Sequence, residues 1–153
     1  MKINHIGITV PDIEAAVSFY TRAFGLSVLV SPLDGSTETE GAERRFDVFG
    51  AQWKHMKLAH LVNADGVGFE IFQFVSPPVH EREEGFDYWN TGVSHIALTV
   101  ADLEGTVSRI TGLGGRARSG IHRLPSGTRI CYCADPWGTA IELVTAPYGT
   151  LVS

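Results

Sequence analysis

Apolar and polar positions alternate with period two at the start of the chain: Ile6, Ile8 and Val10 fall on one side, His5, Gly7 and Thr9 on the other. That pattern predicts a strand over residues 2–10. Pro11-Asp12 ends it and the period becomes helical, with Ile13, Ala16, Val17, Tyr20 and Phe24 in one stripe, Asp12 placed to cap and Gly25 placed to stop the helix. Residues 26–30 read as a second strand. Across residues 31–45 no period survives; with Gly35, Gly41 and four acidic residues, this stretch predicts a mobile hairpin loop, a candidate lid. Residues 46–62 supply the next strand or two. Asn63-Ala64-Asp65-Gly66 is a turn, and residues 67–75 form a strand with Glu70 set between Phe69 and Ile71.

The opening pattern then occurs again. Residues 3–14 read I-N-H-I-G-I-T-V-P-D-I-E and residues 93–104 read V-S-H-I-A-L-T-V-A-D-L-E, matching at the His, Ile, Thr, Val, Asp and Glu positions at an offset of 90. Self-similarity of this length predicts a duplicated supersecondary unit. In the second copy residues 94–100 predict a strand, Asp102 caps a helix over 103–113, and residues 116–124, 128–134 and 139–144 predict three further strands, the last one carrying Glu142. Asp135-Pro136-Trp137-Gly138 has the residues a type I turn favours. Each half therefore reads β-α-β-β-β. The expected organisation is a first module over 1–75, a linker over 76–92 and a second module over 93–147. The linker contains Pro77-Pro78, the run Glu81-Arg82-Glu83-Glu84 and the aromatic residues Phe86, Tyr88 and Trp89.

Charge and composition narrow the partners. A net charge of −5 and a pI near 5.6 provide no basic footprint for nucleic acid. No apolar run approaches the ~20 residues of a membrane span, and Met1-Lys2-Ile3 leads straight into a strand pattern, so a cytoplasmic protein is expected. The only two cysteines, Cys131 and Cys133, lie two apart on a predicted strand. They share a face, are badly placed to bridge each other, and read as free buried thiols in a reducing compartment.

The candidate chemistry lies in four residues. Each half has a His in its first strand and a Glu in its last: Glu70 follows His5 by 65 residues and Glu142 follows His95 by 47. Parity puts Ile141 and Leu143 on the helix side and Glu142 on the other face, with Glu70 placed likewise. A carboxylate in such a strand needs a positive partner, and Arg44, Arg45, Arg116, Arg118 and Arg129 are available. Yet the same two residue types at equivalent positions in both halves point instead to two imidazoles and two carboxylates around one divalent first-row metal, with two of six positions open to water or substrate.

Strand-borne H-I-G-I-T-V-P-D and H-I-A-L-T-V-A-D, followed by F-E-I-F-Q-F and D-P-W-G-T-A-I-E-L-V, resemble the vicinal oxygen chelate superfamily of glyoxalases, epimerases, extradiol dioxygenases and fosfomycin and bleomycin resistance proteins. The resemblance implies an α+β fold in which two tandem βαβββ modules make a cupped, barrel-like mixed sheet with helices outside. It also implies one divalent ion (Ni, Co, Mn, Fe or Zn) held by His5, Glu70, His95 and Glu142, in a homodimer acting on a small molecule. Four filled ligand positions favour a lyase or isomerase of glyoxalase or epimerase type, working through a metal-stabilised enolate, with Glu142 or Glu70 as the base. The sequence after Glu70 lacks the Asn-Trp of glyoxalase I, which argues against a glutathione substrate. The runner-up is an extradiol dioxygenase with His55, His60 and Tyr132 as relay residues; the third reading is a ligand-sequestering protein without turnover.

Overall fold

The structure is a computed structural model that describes residues 1–80, 88–89 and 91–152. The run Glu81-Arg82-Glu83-Glu84 and Phe86 of the expected linker lie outside the described residues. The chain divides into two compact units, Met1–Glu81 and Arg82–Ser153. Among the described residues the strands form two mixed sheets.

In the first unit the order is β1 (His5–Thr9), α1 (Ile13–Phe24), β2 (Ser27–Ser36), α2 (Ala42–Phe49), β3 (His55–Val62) and β4 (Gly68–Ser76). The sheet order is β1-β4-β3-β2, with β1 parallel to β4 and the other pairs antiparallel. Asp12 caps α1 through its side chain, accepting from the Ala15 amide at 3.0 Å, and Gly25 closes the helix. The helix buries Ile13, Ala16, Phe19, Tyr20 and Ala23, and the core it shares with the sheet includes Ile8, Ala59, Leu61, Phe69 and Ile71. Those strand residues follow the predicted parity. Glu70 and His60 therefore stand on the sheet's other face.

The second unit repeats the plan with β5 (Ile96–Thr99), α3 (Leu103–Gly112), β6 (Arg116–Ala117), β7 (His122–Arg123), β8 (Arg129–Ala134), β9 (Ala140–Val144) and a short α4 (Tyr148–Leu151). Its sheet runs β5-β9-β8-β6, with β7 also on β8, and again the first strand is parallel to the last. Asp102 caps α3 as Asp12 caps α1, accepting from the Gly105 amide at 2.9 Å. Leu103 and Ile110 of the helix are buried with Cys131, Cys133, Ile141 and Leu143.

Three expectations need correction. Residues 31–45 are not a hairpin loop: β2 continues to Ser36 and α2 begins at Ala42. Both elements hide from a periodicity search because β2 is an edge strand exposed along most of its length and α2 has no buried residue. The stretch 46–62 is accordingly not all strand, since Phe46 to Phe49 belong to α2. The predicted strand 116–124 is broken into β6 and β7, where the Arg118 and Ser119 amides both donate to the Tyr132 carbonyl.

Candidate metal centre

Each unit positions an imidazole against a carboxylate by strand register. In unit 1, β1 and β4 pair His5 with Gly68 and Gly7 with Glu70, so His5 and Glu70 are diagonal neighbours on one face. Gly68 leaves room for this approach: a Cβ there would stand 3.0 Å from the His5 Cβ, a tight contact. His5 Nε2 lies 3.5 Å from Glu70 Oε2. In unit 2, β5 and β9 pair Ala97 with Glu142, and His95 Nε2 lies 3.1 Å from Glu142 Oε2. The histidines sit less centrally than mid-strand: His5 is the first residue of β1, and His95 immediately precedes β5.

The far side of each ring is held as well. His5 Nδ1 is 2.7 Å from Asn4 Oδ1, and His95 Nδ1 is 2.9 Å from the hydroxyl of Ser94. An amide oxygen only accepts, so Nδ1 of His5 carries a proton towards Asn4. Nε2 and the Glu70 carboxylate then share a cation between them, either a proton or a metal ion. Imidazoles that bind metals are commonly oriented in this way, with the outer N–H engaged and the inner nitrogen free for the ion.

Donor chemistry and spacing both fit a first-row divalent ion. Nitrogen and oxygen ligands at about 2.1 Å from such an ion would be separated by about 3.0 Å at right angles and about 3.4 Å at tetrahedral angles; the observed separations are 3.1 and 3.5 Å. Among the described ion pairs neither carboxylate is faced by an arginine. Arg129 instead holds Glu104 at 2.6 Å and lowers its pKa through that hydrogen bond. Arg118 lies over the Tyr88 ring. Arg45 bonds the Glu40 carbonyl at 2.7 Å. Among the described residues no set of three or more His, Cys, Asp and Glu side chains is arranged to hold a metal ion; the donors stand as two pairs, one in each unit.

Other side chains close around the pairs. His60 is the register partner of Glu70 across β3, with Nδ1 3.9 Å from Glu70 Oε1. Tyr132 is the register partner of Glu142 across β8. Burial first, then the Glu142 charge, push the Tyr132 phenol up to about 12. His55 is engaged elsewhere, 2.7 Å from Asp34. Cys131 and Cys133 are free thiols on the helix face; burial, then Cys131, pushes Cys133 up to about 12, which keeps it a neutral thiol, not a ligand. On the Glu70 face, Phe72 and Phe74 continue β4 and pack with Phe49 of α2. Beside them is an open cavity of about 400 Å³ lined by Phe49, Trp53, Phe74 and Pro77 among others.

A family model described as the Glyoxalase/Bleomycin resistance protein/Dioxygenase superfamily matches residues 2–143. The chain belongs to this family. A curated relative, the 2-epi-5-epi-valiolone epimerase of an Actinomyces species, is 27% identical over an alignment covering 97% of this chain and 81% of the relative. Among solved structures, a glyoxalase family protein of Bacillus cereus superposes with a TM-score of 0.78 at 23% identity, covering 94% of this chain and 93% of its own. The fosfomycin resistance protein FosX of Listeria monocytogenes, solved in complex with Mn(II) and sulfate, superposes with a TM-score of 0.64 at 16% identity, covering 99% and 98%. These likenesses establish the shared α+β fold. For the family's small-molecule chemistry, the candidate residues on this chain are the His–Glu pairs.

Proposed function

We propose that the protein is a divalent-metal-dependent enzyme of the isomerase or lyase type, an epimerase in the first instance, acting on a small α-oxygenated carbonyl compound. The observation that carries this reading is the duplicated pairing of an imidazole Nε2 with a carboxylate oxygen, at separations suited to two ligands of one ion. His5, Glu70, His95 and Glu142 would hold the ion, the two pairs joining within one chain or between two chains of a homodimer. When bound, the ion supplies Lewis-acid stabilisation of negative charge developing on substrate oxygens. A carboxylate oxygen of Glu70 or Glu142 accepts the carbon-bound proton. Protonation of the same carbon on its opposite face, by the other carboxylate, inverts the centre; return of the proton to the neighbouring carbon isomerises the substrate.

The epimerase named among the relatives supports this choice over ring-cleaving oxygenation, and its name denotes a ketone substrate. The two free, buried thiols suit a reducing compartment, and we place the protein in the cytoplasm. No described helix is long and apolar enough to cross a membrane. The test is solvent exchange. Protein reconstituted with Mn²⁺ and given 2-epi-5-epi-valiolone or simpler α-hydroxy ketones in deuterated buffer should incorporate deuterium next to the carbonyl without oxygen uptake. Oxygen consumption with a catechol, and no exchange with the ketones, would replace this reading by the dioxygenase.

A further inference from the structure

The sheet face that carries Glu70 changes character along β4. Phe72 and Phe74 follow Glu70 at period two, and their rings stack with centroids 6.0 Å apart. Phe49, the last residue of α2, meets both edge-on at 5.8 and 5.3 Å, and Trp53 lies 6.2 Å from it. The backbone fixes Trp53 in place. Its amide donates to the Gly50 carbonyl at 3.1 Å, and the next amide, that of Lys54, donates to the carbonyl of Ser76 at the end of β4 at 2.8 Å. Phe49, Trp53 and Phe74, with Pro77, line the open cavity of about 400 Å³, which lies wholly within unit 1. Glu70 is four residues from Phe74, about 13 Å along an extended strand.

Two features of the lining define a ligand. No charged side chain is among the lining residues, so a charged molecule would lose its hydration there without compensation. Trp53 is 1% exposed, and among the described residues its Nε1 is the one buried side-chain nitrogen or oxygen without a hydrogen-bond partner. An indole N–H only donates, and leaving a buried donor unmatched is costly. A phenylalanine would fill the same core at no such cost. We infer that the cavity is a binding site for a neutral, flat, apolar ring carrying one acceptor oxygen, of the aryl ketone or aldehyde kind, with the oxygen on the Trp53 N–H and the ring against Phe49 and Phe74. Its volume and aromatic walls are those of small-molecule pockets. The N–H is shielded from solvent, and the segment that moves to admit the oxygen is the exposed turn 50–52, which also lines the cavity. The site is separate from the carboxylate pairs and needs no metal ion.

The probes are acetophenone and ethylbenzene, nearly the same shape with and without the oxygen. Metal-stripped, full-length protein labelled with ¹⁵N gives one indole line for each of its three tryptophans, and Trp89→Phe and Trp137→Phe identify the Trp53 line without altering the cavity lining. Acetophenone should move that line downfield and saturate with a Kd of about 1 mM, the strength within reach of so small a ligand. Ethylbenzene should not move it downfield. Phe74→Leu, which keeps an apolar side chain, should weaken acetophenone binding severalfold. A Trp53 line that acetophenone leaves in place, one that both compounds move alike, or unchanged affinity in Phe74→Leu would each overturn the site. With no metal in the sample, none of these outcomes depends on the His–Glu pairs.

Discussion

At the scale of single residues, the reading depends on which atom faces which. Asn4 and Ser94 hold the outer nitrogens of the two imidazoles, and that turns both inner nitrogens onto carboxylates. Tyr132 adds a pH signature. Its phenol is raised from 10 to about 12, so between those values the folded protein keeps a proton that the unfolded chain has released. Stability from this group is complete below pH 10 and falls as pH rises towards 12. Denaturant unfolding of metal-free protein at pH 9 and pH 11 should therefore show a larger loss for wild type than for Tyr132→Phe; equal losses would refute the assignment. Period-two parity alone was enough to put Glu70 and Glu142 on the face away from the helices. The partnership of His60 with Glu70, and of Tyr132 with Glu142, was not legible in the same way. It depends on the register of one strand against another, which no local pattern encodes, so the sequence marked both only as spare relay residues.

Among the elements, those that bury an apolar face were the ones that could be read. Helices α1 and α3 fall where their stripes and aspartate caps place them, and β4 and β9 where their glutamates interrupt apolar runs. The second half of β2 and the whole of α2 were lost because an element without a buried face leaves no periodic trace. Packing is close after α3. Gly115 donates its amide to the Ile110 carbonyl at 3.0 Å, and a Cβ there would stand 2.6 Å from both the Ala134 carbonyl oxygen and the Ile110 side chain. Gly115→Ala should destabilise the fold by about 1–3 kcal/mol through overpacking, read as a lower denaturant midpoint at unchanged slope. An unchanged midpoint would mean that α3 and β8 can separate freely.

For the molecule as a whole, duplication is the feature that makes function readable. A lone histidine near a glutamate is an ordinary ion pair. The same pair built twice, on the same strands of two repeated units and with a polar neighbour on the outer ring nitrogen each time, is what the proposed metal site rests on. The most direct measurement is the metal content of purified protein by elemental analysis, wild type beside Glu142→Gln, with circular dichroism to confirm the fold. The account predicts one divalent first-row ion per chain in wild type and a severalfold loss in the variant; metal content that is unchanged in Glu142→Gln would contradict it.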